Sequence, residues 1–136
     1  MFISRLVDFQ LSSVTSPAVD LMYFMNSSTA PEVLENHHVL VDEYYSTLCQ
    51  TLTTLGHQDL QPTRATLDAE LKKKRQFGLV AGLTVRAFAL ADRNHLPDID
   101  NMISDRNNYS AKFSESFKSA VEKILPMYEK WGWLKM

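Results

Sequence analysis

Hydrophobic residues in the middle of the chain repeat at the interval of an α-helix. From residue 40 onward they recur at steps of three and four positions, at Leu40, Val41, Tyr44, Tyr45, Leu48, Leu52 and Leu55. This spacing predicts one apolar face on an amphipathic helix. Gly56 follows the pattern and is a suitable residue to end such a helix.

Two shorter helices are predicted before this one. Ser16-Pro17 has the residue types of a helix start, and the Asp20 carboxylate falls in the first turn, where it suits the positive end of the helix dipole. Residues 29–32, Thr-Ala-Pro-Glu, resemble a capping box that opens the next helix. We expect the chain to bend or break near residues 36–38.

A long helix is predicted after residue 65. Acidic side chains in its first turn precede the basic run 72–75, and the chain is then apolar from Phe77 to Leu90. Gly78 and Gly82 lie four residues apart on one face, which predicts a neighbouring helix packed closely against them. We expect the apolar part to be buried on most of its circumference. The basic run is typical of a solvated face, and the alternative is a basic rim near an anionic cofactor.

The last predicted helix has apolar positions at Tyr109, Phe113, Phe117, Ala120, Val121, Ile124 and Tyr128. Pro126 lies inside this pattern and is expected to kink or split the helix, because proline removes one backbone hydrogen bond. Gly132 should end it, and Trp133-Leu134 should fold back over the bundle.

The beginning of the chain has a different pattern. Residues 3–9 are rich in β-branched and aliphatic side chains and include Asp8 near their end, which predicts a strand followed by a turn. A carboxylate at the end of a strand can face a cleft, and hard divalent cations prefer carboxylate oxygens. Asp8 is therefore a candidate Mg²⁺ ligand; the alternative is a turn-forming residue without a ligand.

Together these patterns predict a mainly α chain, with a short N-terminal β-strand or hairpin remnant before about five helices. Its 136 residues fit one domain. The net charge of −2 and the lack of an arginine stripe argue against nucleic acid as a partner. No apolar run reaches the roughly 20 residues of a membrane span. The single cysteine, Cys49, excludes an internal disulfide and favours a reducing compartment, so a cytoplasmic location is expected.

Other possible metal sites are weak. His37 and His38 are adjacent, so on a helix they point about 100° apart and cannot share one ion. The acidic run 98–101 lacks the glycine that a calcium loop of the EF-hand type requires.

Several phrases resemble the ecdysteroid kinase-like family, a branch of the choline kinase and aminoglycoside phosphotransferase superfamily. They are Val-Asp-Phe-Gln at 7–10, Ser-Pro-Ala-Val-Asp-Leu at 16–21 and the run Met-Tyr-Phe-Met at 22–25. Phe77-Gly78-Leu79 and the terminal Trp131-Gly132-Trp133-Leu134 also fit the family. The resemblance extends over almost the whole chain but corresponds only to the C-terminal part of the family's length, so residues 1–136 would be a single partial domain.

The resemblance implies the helical C-terminal subdomain of a protein-kinase-like fold. It also implies an ATP- and Mg²⁺-dependent kinase that phosphorylates a hydroxyl of a steroid-like small alcohol. Asp8 would be the metal ligand, and Asp20 would support the catalytic loop by hydrogen bonding without touching phosphate. The aromatic residues Tyr23, Phe24, Tyr44 and Tyr45 would belong to the wall on the acceptor side.

Phosphoryl transfer needs further parts that this sequence lacks. In the family, a His-Gly-Asp segment upstream of Asp8 supplies the base, and a lysine and a glycine-rich turn hold the nucleotide. No catalytic base can therefore be assigned, no nucleotide-binding residue is identified, and the chain alone is predicted to be inactive. A truncated gene model, a splice form and a degenerate paralogue are all compatible with this. The alternative function is a non-catalytic helical module that binds a partner or a small molecule.

Overall fold

The computed structural model describes residues 13–91 and 113–135, and every regular element in these two ranges is helical. The elements are α1 (Ala18–Ser28), α2 (Pro31–Glu35), α3 (His37–Thr54), a 3₁₀ turn (Gln58–Leu60), α4 (Arg64–Ala89) and α5 (Glu115–Lys130). The mainly α prediction is confirmed. The predicted strand and Asp8 lie outside the described residues.

Short polar side chains set the starts of α4 and α5. The Thr63 hydroxyl accepts a hydrogen bond from the Thr66 amide at 3.1 Å, so α4 begins two residues earlier than the sequence pattern predicted. The Ser114 hydroxyl accepts from the Phe117 amide at 3.1 Å and donates to the Leu90 carbonyl at 2.5 Å. Ser114 therefore caps the N-terminus of α5 and also satisfies a carbonyl at the C-terminus of α4.

The capping box predicted at residues 29–32 is wrong. Ala30 occupies the N-cap position of α2, and no side chain caps that helix. The Thr29 hydroxyl instead donates back to the Met25 carbonyl at 2.5 Å, at the end of α1. The Thr29 side chain therefore caps the end of α1, and Pro31 is the residue that favours the start of α2. The predicted break near residues 36–38 is confirmed, because Asn36 separates α2 from α3.

Helices α1 and α4 form the central packing of the fold, and two glycines permit it. A Cβ atom at Gly78 would lie 2.7 Å from Asn26 Nδ2 and 3.1 Å from Met22 Sδ, both on α1. A Cβ atom at Gly82 would collide with the Tyr128 hydroxyl of α5 and lie 3.3 Å from the Asn26 carbonyl oxygen. The close helix contact predicted from the spacing of these glycines is confirmed. The core around it consists of Ala18, Met22, Met25, Leu34, Val41, Leu67, Leu71, Ile124 and Tyr128.

A buried arginine joins the end of α1 to α4. Arg86 is 3% exposed, and its Nε and Nη2 atoms donate to the Asn26 carbonyl at 2.9 and 2.6 Å. Its Nη1 donates to the Thr29 carbonyl at 2.8 Å. These carbonyls lie at the negative end of the α1 dipole, where a cation is favourable. Burial lowers the pKa of Arg86.

A small polar network extends from this joint to α5. The Tyr128 hydroxyl donates to Asn26 Oδ1 at 2.8 Å, and Asn26 Nδ2 donates to the Met22 carbonyl at 2.8 Å. Burial raises the pKa of Tyr128 to about 12, so its hydroxyl stays protonated and remains a donor. Asn26 thereby contacts α1, α4 and α5 at once.

The prediction that the apolar part of α4, from Phe77 onward, is buried on most of its circumference is wrong. Only one face is buried, along Gly78, Ala81, Gly82 and Arg86. Phe77, Val80 and Phe88 are 42%, 54% and 39% exposed. The apolar run is continuous in sequence, but the described residues provide a partner helix for one side only.

Helix α5 runs through Pro126 without interruption, so the predicted split does not occur. Pro126 and Glu122 are both exposed. The Glu122 carbonyl, whose amide partner the proline removes, can therefore bond to water. Within the described ranges, no helix combines the length and the apolar character needed to cross a membrane.

Replacing Gly82 with alanine should destabilise the fold by about 1–3 kcal/mol, because the added methyl overpacks the contact with Tyr128 and Asn26. Urea unfolding followed by circular dichroism measures this cost. In a Tyr128→Phe background the obstructing hydroxyl is absent, and the cost of Gly82→Ala should shrink. A gain in stability from Gly82→Ala, as helix propensity alone would give, would contradict the close approach.

Candidate functional site

Asp20 is the predicted site residue that the structure places. It lies in the first turn of α1 and is exposed. The side chain of Tyr44 on α3 is near enough to respond to it: burial raises the pKa of Tyr44, and the negative charge of Asp20 raises it further. Asp8 lies outside the described residues, so its role as a metal ligand stays a prediction.

The four aromatic residues predicted for the acceptor side have different neighbours. Tyr23 stacks on Phe77 of α4 with ring centroids 6.5 Å apart, and the two residues are 43% and 42% exposed. The Tyr45 hydroxyl donates to the Pro62 carbonyl at 3.1 Å, and the Arg64 guanidinium lies 6.0 Å from the centre of its ring. Among the described residues, no ring contact joins Tyr23 or Phe24 to Tyr44 or Tyr45. Their shared role as one acceptor wall remains a prediction.

The structure also contains a groove that the sequence did not predict. It has a volume of about 390 Å³ and lies between α1, α3, the first half of α4 and the turn after α5. We call it the tryptophan groove, after Trp131 and Trp133. Its lining residues are Met22, Met25, His37, His38, Val41, Arg64, Asp68, Leu71, Lys72, Arg75, Trp131 and Trp133.

The two tryptophans reach the groove because of the way α5 ends. Gly132 adopts a left-handed conformation with φ of +71°. The Trp133 amide donates to the Tyr128 carbonyl and the Gly132 amide to the Glu129 carbonyl, each at 2.9 Å. This is a Schellman motif, in which a glycine reverses the chain over the last helical turn. The predicted stop at Gly132 and the return of Trp133 are therefore observed, whereas Leu134 is 44% exposed.

Aromatic contacts hold both tryptophan rings in place. Trp133 stacks on the buried ring of Tyr128, with centroids 5.2 Å apart and planes 11° from parallel. Trp131 lies 5.2 Å from Trp133 and meets the edge of His37 at 4.8 Å. Each ring keeps part of its surface exposed. The groove therefore has a rigid aromatic wall that solvent can still reach.

His37 closes the end of the aromatic wall. Its Nδ1 lies 3.1 Å from the Leu34 carbonyl oxygen. Burial lowers the pKa of His37, and the neighbouring His38 lowers it further. A neutral ring therefore dominates near neutral pH, and its Nδ1 carries the proton donated to Leu34.

Helix α4 gives the groove a basic edge. Arg64 forms ion pairs with Asp42 of α3 and with Asp68, the latter at 2.9 Å, so its charge is balanced. Lys72 and Arg75 also line the groove, and no carboxylate among the described residues forms an ion pair with either. Three cations and one carboxylate line the groove, which leaves it electropositive.

The basic run 72–75 has side chains on two sides of α4, and its alternative role as a basic rim near an anionic cofactor stays a prediction. Lys73 pairs with Glu70 at 2.6 Å on the exposed side of α4, as expected for a solvated face. Lys72 and Arg75, three positions apart, line the tryptophan groove, and with Lys73 they also line a second, shallower hollow on α4. The described residues contain no group of three or more histidine, cysteine, aspartate or glutamate side chains arranged to hold a metal ion.

These observations define a mainly α protein. Residues 4–57 match the sequence model of the Ecdysteroid kinase-like family, and this relates the chain to a kinase-like family. The resemblance predicted from the first phrases of the sequence is thereby confirmed over α1, α2, α3 and the residues before them. No curated protein and no solved structure matches the chain.

The family match includes one side of the tryptophan groove. Met22, Met25, His37, His38 and Val41 fall inside residues 4–57, whereas the basic edge and both tryptophans lie beyond them. Sequence reasoning noted the basic run and the terminal tryptophans separately. Nothing in their spacing indicated that they meet.

Proposed function

We propose that this chain is the helical C-terminal part of an ATP-dependent kinase that phosphorylates a hydroxyl group of a steroid-like small alcohol. The family match at residues 4–57 carries this proposal, because it includes both Asp8 and Asp20. In this proposal residues 1–136 are a single partial domain of the larger kinase lobe. A cytoplasmic location accords with the need for ATP and with the single thiol, Cys49.

Asp8 and Asp20 have different roles in this proposal. Asp8 would contribute one oxygen to Mg²⁺, and the phosphates of ATP would contribute others, since this ion prefers oxygen ligands and keeps part of its water shell. The described residues alone do not fit a complete metal site. Asp20, in the exposed first turn of α1, would hold the backbone of a catalytic loop by hydrogen bonding. Near it, Tyr44 would form part of the acceptor side.

A polypeptide of these 136 residues should show no kinase turnover above that of its Asp8→Asn variant. The base, the nucleotide-binding lysine and the phosphate cradle are each commonly worth orders of magnitude in rate, and the sequence contains none of them. The assay combines purified polypeptide, ATP, Mg²⁺ and an ecdysteroid, with the phosphorylated product measured by mass spectrometry. Asp8-dependent turnover by this polypeptide would contradict the expectation.

The positive arm of this experiment uses the open reading frame extended upstream. A version that includes a His-Gly-Asp segment should phosphorylate the steroid and should lose that activity when Asp8 is changed to asparagine. Asp20→Ala should also reduce the rate in this version, with less effect on the KM for ATP than Asp8→Asn. Absence of such a segment upstream would count against the kinase proposal.

The second candidate is a non-catalytic binding module, and the tryptophan groove favours it. The groove is formed entirely by described residues and needs no additional lobe. A chain that binds a small molecule there without any phosphoryl transfer, in either version, would support this candidate over the kinase.

A further inference from the structure

The tryptophan groove is lined by two surfaces of different chemistry. One is the aromatic wall of Trp131 and Trp133, with Met22 and Met25 contributed by α1. The other is the pair Lys72 and Arg75 on α4. Its volume of about 390 Å³ lies within the range of roughly 300–1,000 Å³ that is typical of sites for small organic ligands.

The apolar surface is firmly placed. Met22 and Met25 are 4% and 2% exposed, so they are fixed in the core beneath the groove, and the half-buried rings of Trp131 and Trp133 provide the apolar surface that a ligand can contact. Trp133 is stacked on Tyr128, which is fully buried and hydrogen bonded to Asn26. Flat aromatic rings bind apolar ring systems through dispersion and burial of area. A bound molecule would therefore meet this surface without a large rearrangement.

Among the described residues, the unpaired cations of the groove favour apolar molecules that carry an anionic group. Arg64 is held by Asp42 and Asp68, so neither this arginine nor Asp68 has its charge free for a ligand. Lys72 and Arg75 form no ion pair within the described ranges, and Arg75 is half-buried. A cationic ligand would be repelled, and a neutral one would desolvate these groups without compensation. An anionic group is the complement that both cations share, and an arginine can hold it through two parallel hydrogen bonds.

We infer that the tryptophan groove binds a small organic anion, with an apolar ring body against Trp131 and Trp133 and a sulfate, phosphate or carboxylate group at Lys72 and Arg75. This inference does not depend on the proposed kinase function, because it requires neither Asp8 nor a nucleotide. It assigns a ligand-binding role to residues that the family match leaves out.

The chain provides its own probe for this site. Trp131 and Trp133 are its only two tryptophans, so intrinsic fluorescence reports on the groove directly. We would titrate the full chain with dehydroepiandrosterone sulfate and with the unsulfated parent alcohol, and add inorganic sulfate as a third probe. The sulfate ester should bind about tenfold more tightly than the alcohol, as expected for two partly solvated cations acting on one anion. Inorganic sulfate alone should produce no comparable fluorescence change.

Variants distinguish anion binding at Lys72 and Arg75 from attraction to the overall positive charge of α4. Lys72→Met combined with Arg75→Met should abolish the preference for the sulfate ester while the alcohol binds as before. The matched control, Lys73→Met, removes a charge from the same helix on its exposed side and should leave the preference intact. Thermal unfolding of each variant verifies that the fold is retained.

Three results would overturn the inference. They are equal affinity for the ester and the alcohol, an unchanged preference in the Lys72/Arg75 double variant, and an equal loss of preference in Lys73→Met. Absence of any fluorescence response to the ester up to millimolar concentration would overturn it as well. Carboxylate and phosphate analogues of the same steroid then show which anionic group is favoured.

Discussion

Replacing Arg86 with methionine is expected to lower the free energy of unfolding by about 2–5 kcal/mol. The guanidinium is buried and donates three hydrogen bonds to the carbonyls of Asn26 and Thr29. Methionine fills much of the volume but leaves both buried carbonyls unpaired, and each unsatisfied group costs about 1–3 kcal/mol. Since a domain of this size is stable by about 5–15 kcal/mol in total, this single change would remove a large share.

Urea unfolding measures the effect of Arg86→Met, and Lys73→Met on the same helix is the matched control. Lys73 is exposed and loses only a surface ion pair with Glu70, which is worth less than about 1 kcal/mol. The loss of unfolding free energy in Arg86→Lys should lie between those of Arg86→Met and Lys73→Met, because one ammonium group cannot reproduce the forked contact with both carbonyls. A cost below that of the Lys73 control would show that Arg86 does not stabilise the joint between α1 and α4.

The second large effect is expected at Tyr128, where truncation to alanine should cost about 3–5 kcal/mol, the range for large aromatic side chains in cores. The ring is fully buried and supports Trp133 in a stacked pair. Tyr128→Phe retains the ring and loses only the hydrogen bond to Asn26, so it should cost about 1 kcal/mol.

Both Tyr128 variants can be followed through their effect on the two tryptophans. Chemical unfolding gives the cost of each change, and the fluorescence of the folded state reports on the turn after α5. Tyr128→Ala should shift the emission of Trp133 toward that of a solvated ring, whereas Tyr128→Phe should not. Equal costs for the two variants would mean that the ring contributes little beyond its hydroxyl.

Local patterns predicted those parts of the fold that depend on few residues. Gly56 and Gly132 both adopt positive φ after a helix, as their positions indicated. Gly78 and Gly82 were correctly interpreted as a close helix contact, because two small residues on one helical face have a definite geometric use. The break at Asn36 was also predictable from the change in polarity around it.

Features that depend on distant residues were not predictable in the same way. An arginine within an apolar run does not reveal whether it is solvated, and Arg86 is buried because α1 ends directly against it. Phe77 and Val80 are apolar but remain exposed, since hydrophobicity alone does not specify a partner. The tryptophan groove unites Lys72 with Trp131, residues whose separation in sequence carries no signal of contact.

The joint at Arg86 and Gly82 also affects how the family resemblance should be understood. The match to the family model ends at residue 57, yet the buried face of α1 rests on α4, which begins only at Arg64. The matched stretch therefore depends on α4 for the burial of α1. Substitutions at Gly78, Gly82 or Arg86, all outside the matched stretch, would therefore disturb α1, which lies inside it.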